Sequence, residues 1–385
     1  MATIWQKRLD SGWTPPQGSG FPWDQVRLSL AALLPGMRSA QKWVERVTVE
    51  RNVSRLAPAP PVLTETRAAR VTLILAGNTP LLAWSPLCAC LLAGVGIMRV
   101  KLSRDETVWT RLFVESLREA DAKLAERIEL HDFPGEDERT YALLTNADAV
   151  IAYGSDAAID ALRGQTPKSV PFFDYGHAVS VGLAEQHTIF DLQACAGFAT
   201  DCLMYDQQGC LSPHILYITG SLRHPTGVRN VEDLSLGGRM RHKMQEQSSR
   251  LPPPVAGSAA RIREARDIAL FSGRIVHGDD TLRWTVISSL ETIPYPPPVG
   301  HGVLTVSPVE SAAQLRELLQ PVWGIVSCAG VAGELSPEWE AVLREAGVSR
   351  ICQPGEMQTP PLDWQNGNRD LLAELLQITE LSVAR

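Results

Sequence analysis

The chain has no surplus of positive charge: 36 Lys and Arg stand against 43 Asp and Glu, a formal net charge of −7. A broad basic face for phosphate backbones is not expected, so nucleic acid is not an expected partner. It also lacks any CxxC pair. Its seven cysteines, at positions 88, 90, 195, 202, 210, 328 and 352, form an odd set. That argues against a disulfide framework and a zinc site, and for reduced thiols in a cytoplasmic compartment. Glycine and proline, 29 and 27 of 385 residues, are too few for a low-complexity chain. No internal repeat is apparent. Lys7 and Arg8 have no apolar run behind them, so no secretory signal is expected. The charge-free stretch from Val71 to Met98 is interrupted by Asn78, Pro80, Pro86, Gly94 and Gly96. It reads as a buried strand, a turn and a buried helix over about 81–92 rather than a membrane span.

What is present is a soluble globular composition, 44% hydrophobic and 21% charged, at a length that suits two or three domains. Residues 24–52 carry two helical patterns split at Pro35-Gly36, and 56–69 is a Pro-rich link. Strand-like runs then follow at 71–76, 96–101, 127–131, 148–153 and 169–173, separated by helix-length segments. The segment 107–126 places Trp109, Leu112, Phe113, Leu117, Ala120 and Leu124 on one apolar stripe. Strands alternating with helices predict a mostly parallel, doubly wound nucleotide-binding layer over 70–176. Beyond it the pattern predicts a helix near 187–204 and a strand at 214–219. Further strands are expected near 283–287, 302–306, 323–328 and 349–352, with helices near 258–267, 309–319 and 336–346. The basic run Arg239–Lys243 reads as a solvated helix face.

A nicotinamide nucleotide usually announces itself by GxGxxG, and the nearest approach, Gly94-Val95-Gly96, carries Arg99 where the third glycine belongs. The polar residues that could meet a ligand are instead distributed. Asn78 follows one strand, Lys101-Leu102-Ser103-Arg104 the next and Gly154-Ser155 a third, all at carboxyl ends of strands, where α/β sheets place ligands. Cys210 stands in a loop after Gln207, Gln208 and Gly209, whereas the other six cysteines fall in apolar helix or strand contexts and read as small buried fillers.

Taken in order, Asn78-Thr79-Pro80, Lys101-x-Ser103, Tyr153-Gly154-Ser155, Asp174-Tyr175-Gly176-His177 and Gln208-Gly209-Cys210 resemble the aldehyde dehydrogenase superfamily. The wording around Phe173–Ser180 and Asp206–His214 narrows this, as do Cys352-Gln353-Pro354-Gly355-Glu356-Met357 and Trp364-Gln365-Asn366-Gly367. Together they are similar to the LuxC-type acyl-CoA reductases, over roughly residues 70–370. The resemblance implies an α/β fold of two doubly wound domains with the active site in the cleft between them. Residues 1–176 would form the nucleotide-binding domain with N-terminal helices and 177–354 the catalytic domain, while 355–385 would be a C-terminal segment returning across the cleft.

It also implies roles. Cys210 matches the nucleophile and Asn78 the oxyanion amide; His177 and Asp174 fall where acid–base residues are expected. Lys101, Ser103, Gly154 and Ser155 match cofactor-binding positions. Arg104 stands where NAD-preferring relatives often carry a ribose-binding Glu, and a cation there suits a 2′-phosphate, so the expected cofactor is NADPH. No metal is expected. The implied substrate is an acyl-CoA or acyl-protein thioester, the implied assembly a homo-oligomer, and an acyl-activating ligase is a candidate partner. Two rival readings stay open: oxidation of an aldehyde to an acid with Asp174 as base, and a degenerate binding or scaffold subunit. Asp174 is one methylene shorter than the water-activating Glu of the hydrolysing relatives, which weakens the first rival.

Overall fold

The computed structural model describes residues 1–55, 68–104, 106–185, 188, 191–219, 236–249 and 251–383. Two compact units divide the chain: residues 1–177 with 361–365 and 369–385, and residues 178–360 with 366–368. The 355–385 segment is thus shared between them.

The first unit is built on a five-stranded parallel sheet of β1 (Arg70–Ile74), β2 (Ile97–Lys101), β3 (Ile128–His131), β4 (Ala149–Tyr153) and β5 (Phe172–Tyr175), in the order β3-β2-β1-β4-β5. All five expected strands are present. The last lies three residues further on than its apolar run suggested, so Asp174 is inside a strand and not after it. β1 is central, with Val71 in register with Met98 on one side and Ala149 on the other. It is buried from Val71 to Ile74 on both faces, with Thr72 as its one polar residue there. The charge-free stretch resolves into β1, the helix Trp84–Ala93 and the start of β2. That helix ends at Gly94, whose φ of 81° is left-handed; its N–H meets the carbonyls of Cys90 and Leu91. The GxG remnant in the sequence is therefore a helix cap. Among the described residues no helix is long and apolar enough to cross a membrane.

The expected helix over 107–126 is cut in two. Asp121 ends the helix Val108–Ala120, and its carboxylate accepts the Leu124 N–H at 3.2 Å to start the turn Ala122–Ala125. Ala120 is accordingly exposed, while Trp109, Leu112, Phe113 and Leu117 face the core. At the N-terminus a helix absent from the sequence reading, Ala2–Asp10, is seated by indoles. Trp5 meets Trp13 and Trp84, Trp13 meets Trp23, and Trp23 stacks on Trp109. The Trp5 N–H also donates to the Ser116 hydroxyl at 2.8 Å. The next helix, Trp23–Arg38, runs through Pro35 and ends at Ser39, three residues beyond the expected break. Most of the Pro-rich link, 56–67, lies outside the described residues.

The second unit holds a seven-stranded sheet, β12-β11-β6-β7-β10-β9-β8. Its strands are β6 (Val179–Glu185), β7 (Pro213–Thr219), β8 (Ile275–Gly278), β9 (Thr285–Ser288), β10 (Val303–Val309), β11 (Val326–Ala332) and β12 (Arg350–Cys352). All neighbours are parallel except β8 with β9, an antiparallel edge that sequence reading did not anticipate. β6 was also missed, although it lies between β11 and β7. Its Val-Ser-Val-Gly-Leu-Ala-Glu composition has a weak strand signal, yet Gly182 is required there: a Cβ would stand 2.7 Å from Leu216 and 2.9 Å from Phe198. Phe198 belongs to the helix Leu192–Leu203, which is shorter than the expected 187–204; residues 186, 187, 189 and 190 are not described. The basic run at 239–243 lies on the helix Leu236–Ser248, where Arg241 and His242 are exposed and Met240 and Met244 are buried.

Candidate active site

In the first unit the strand order gathers the segments after β1, β2 and β4 at one edge of the sheet, the carboxyl edge where α/β sheets take ligands. Asn78, half-buried, stands four residues after β1. Lys101 closes β2. It is buried, and loss of solvent lowers its ammonium pKa, opposed by Glu136 and Asp132. Its Nζ reaches the Leu102 carbonyl at 3.4 Å and lies 5.6 Å from the Phe133 ring centroid. Ser103 is half-buried and Arg104 exposed.

Gly154 and Ser155 follow β4. Ser155 caps the helix Asp156–Gln165, its hydroxyl accepting the Ala158 N–H at 3.3 Å. A Cβ on Gly154 would press on Ala158 at 3.3 Å. The helix start is thus approached by bare backbone, the arrangement that suits an anion.

Asp174 and His177 lie at the end of the same sheet, but their groups are engaged in the fold. The Asp174 carboxylate pairs with Arg163 at 3.0 Å and Arg369 at 3.7 Å. Arg369 also lies over the rings of Phe173 and Tyr175. The backbone N–H of His177 donates to Asp156 at 2.8 Å, while its side chain is exposed.

Cys210 belongs to the second unit, in the loop between the helix Leu192–Leu203 and β7. Burial pushes its thiol up to about 11, opposed by its own backbone N–H. Its carbonyl accepts the Ser180 hydroxyl at 2.8 Å, and Ser180 in turn accepts the Cys328 N–H at 3.2 Å. The Cys210 loop is therefore tied to the starts of β6 and β11. Three successive non-glycine residues before it, Tyr205, Asp206 and Gln207, have φ of 55°, 55° and 57°. Left-handed backbone costs such residues about 1–2 kcal/mol each.

Gln207 offsets part of this cost. Fully buried, its amide nitrogen donates to the carbonyls of Pro213 at 2.7 Å and Val303 at 2.9 Å, and its oxygen accepts the Val303 N–H at 2.9 Å. A further buried carboxylate braces the preceding helix. Asp201 accepts the N–H groups of Gly355 at 2.6 Å and Met357 at 3.0 Å, and Gly197 lets Pro354 approach where a Cβ would sit 2.4 Å from its carbonyl. Ser180 and Asp201 were missed from sequence; each bonds a partner about 150 residues away, which leaves no linear pattern. No group of three or more His, Cys, Asp or Glu side chains suited to a metal occurs among the described residues.

The family model described as acyl-CoA reductase (LuxC) matches residues 64–367. The chain belongs to the LuxC family. A long-chain acyl-protein thioester reductase of Vibrio harveyi is 23% identical over 288 residues, and that of Aliivibrio fischeri 24% over 294. Each alignment takes in 73% of this chain and 57% of the relative, so this LuxC-family chain spans little more than half the length of those enzymes. Among solved structures, a 1-pyrroline-5-carboxylate dehydrogenase from Thermus with bound NAD superposes with a TM-score of 0.64 at 13% identity, over 98% of this chain and 78% of that one. An NAD-dependent aldehyde dehydrogenase of Sinorhizobium meliloti gives 0.60 at 14% identity, over 92% and 72%. The fold is that of the aldehyde dehydrogenases, as the sequence motifs implied.

Proposed function

We propose that this LuxC-family chain reduces an activated acyl thioester to an aldehyde, with the acyl group carried on Cys210. The observation that carries the reading is the placement of Cys210 on a turn braced from both sides, in a chain of the acyl-CoA reductase family. Attack by the Cys210 sulfur forms one C–S bond and breaks the donor's C–S bond. The thiol proton leaves with the departing thiol. One thioester replaces another, so the exchange is close to thermoneutral and needs no activated water. A thiol held up to about 11 is protonated at neutral pH, so its proton must leave in step with the attack, and the departing thiolate is a suitable acceptor. Asn78 has the role of oxyanion amide in this proposal.

NADPH is the proposed reductant, and supplies the two electrons and the hydrogen when bound. The first unit fits such a nucleotide. Ser155 and the bare backbone at Gly154 offer an anion-binding helix start, Lys101 is an ammonium already withdrawn from water, and Ser103 and exposed Arg104 follow on the same loop. Arg104 is the proposed partner of the 2′-phosphate. Oxidation of aldehydes to acids would need a carboxylate free to take a proton from water, and Asp174 is instead ion-paired to Arg163 and Arg369.

The test is incubation with NADPH and a panel of acyl-CoAs, following absorbance loss at the reduced nicotinamide band together with free thiol release. An acylated ligase protein is included as donor, because the curated relatives are named for acyl-protein thioesters. Equal amounts of aldehyde, thiol and oxidised cofactor are expected. Formation of free acid from aldehyde with no thiol acceptor present would overturn the reading.

A further inference from the structure

The left-handed turn over Tyr205–Gln207 leads directly into Gln208-Gly209-Cys210. Backbone of this kind persists only where its surroundings hold it, and such strain clusters at functional sites. Gln207 is one strap. The second is His301, itself at φ 55° in the loop before β10. Its backbone N–H donates to the Asp206 carbonyl at 3.2 Å, and its ring Nδ1 lies 2.5 Å from the Asp206 carboxylate. On the far side of the ring, Nε2 faces the Arg261 guanidinium at 3.3 Å. Arginine can only donate, which leaves Nε2 the accepting role and puts the ring proton on Nδ1, directed at Asp206. The same carboxylate receives the Gln208 amide at 3.4 Å.

We propose that Asp206 and His301 are positioning residues for Cys210: their hydrogen bond locks the left-handed turn and with it the direction in which the Cys210 sulfur is presented. The proposal rests on Cys210 as the nucleophile of thioester reduction. It predicts that breaking the pair slows acylation without weakening substrate binding, because neither residue is assigned to the substrate.

Two variants separate positioning from mere support of the fold. Asp206→Ala removes the acceptor, whereas Asp206→Asn keeps an oxygen for the Nδ1 proton on a side chain that tolerates left-handed backbone. With octanoyl-CoA and NADPH, Asp206→Ala is expected to lose about tenfold or more in kcat with KM little changed, and Asp206→Asn to recover most of it. The second-order rate of Cys210 alkylation by iodoacetamide at pH 9, read by peptide mass spectrometry, should move in parallel. His301→Phe fills the ring's space without the donor and should match Asp206→Ala, and the double variant should be no slower than either single one. Wild-type kcat and alkylation rate in Asp206→Ala, or additive losses in the double variant, would overturn the proposal. If Asp206→Ala does not fold, Asp206→Asn and His301→Phe carry the test, and equal rates in the two overturn it. Should the wild-type protein reduce no acyl thioester, the functional reading falls while the alkylation rates still decide whether the pair positions Cys210.

Discussion

Cys328 and Cys352 bring their sulfur atoms to 3.9 Å across the paired strands β11 and β12. Sequence reading gave each of them no partner. The contact lowers the Cys352 pKa, with its hydrogen bond to Cys328 as the largest cause and burial opposing it, while Cys328 is driven up, by burial above all. Cys210 is driven up by burial alone. Thiolate is the reacting form, so iodoacetamide at pH 7.5 should label half-buried Cys352 before Cys210 in the ligand-free protein. Cys328→Ala should slow Cys352 labelling. Peptide mass spectrometry over a time course checks both, and labelling of Cys210 first would contradict them.

Removal of the proposed nucleophile should be far more severe than removal of a buried filler. Cys210→Ala is expected to abolish both acyl labelling and aldehyde formation. Cys88→Ala, in the helix Trp84–Ala93, should change stability and leave turnover intact. Asn78→Ala should lower kcat by about 10²–10³, the usual loss for one oxyanion donor. Steady-state kinetics beside acyl-enzyme trapping separates these outcomes.

Arg104 is exposed at the carboxyl end of β2, and its proposed task is to pair with the cofactor's 2′-phosphate. Arg104→Glu should then weaken NADPH by roughly tenfold or more and leave NADH nearly unaffected, because only one of the two carries that phosphate. Fluorescence titration with both nucleotides decides it. Equal losses would remove Arg104 from phosphate recognition.

Asp201 gives the protein a pH dependence of its own. Burial raises its carboxyl to about 7, opposed by the N–H groups of Gly355, Met357 and Gln358. The folded state therefore holds this proton over a range where the unfolded chain has released it. Stability contributed at this site is present at low pH, falls as pH rises from about 4 to 7 and levels off above. The whole swing is of the order of 4 kcal/mol. Asp201→Asn cannot titrate, so across that window the urea-unfolding free energy of wild type should fall relative to that of the variant. Parallel profiles would show that Asp201 ionises as freely in the folded protein as in the unfolded one.

Much of the first unit was legible because its central strands β1 and β4 are largely buried apolar runs that need no partner to be recognised. The asymmetry lies in the second unit. β6 carries Gly182 because Phe198 of the helix Leu192–Leu203 packs closely on it, and together with Ser180 and Ala184 it weakens the very signal that marks a strand. Of the candidate site, the loop position of Cys210 and the place of Ser155 before a helix were legible. The support for Cys210 was not, since Ser180 reaches its carbonyl across 30 residues of sequence and is itself met by the Cys328 N–H across 148. Asp174 shows the opposite limit. The family resemblance casts Asp174 as a base, and only the positions of Arg163 and Arg369 reveal that its carboxylate is already paired.

The indole cluster of the first unit has a spectroscopic consequence. Trp5, Trp13, Trp23, Trp84 and Trp109 account for five of the ten tryptophans, and Trp5, Trp84 and Trp109 are almost wholly shielded from water. Their ultraviolet emission should be blue-shifted and should redden when the helix Ala2–Asp10 comes away, since that helix carries Trp5 into contact with Trp84. Intrinsic fluorescence of this protein would thus report the seating of its first ten residues as strongly as it reports global unfolding. Experiments that follow denaturation by emission alone would need excitation-independent probes in the second unit, where Trp284 is the one fully shielded indole among the described residues.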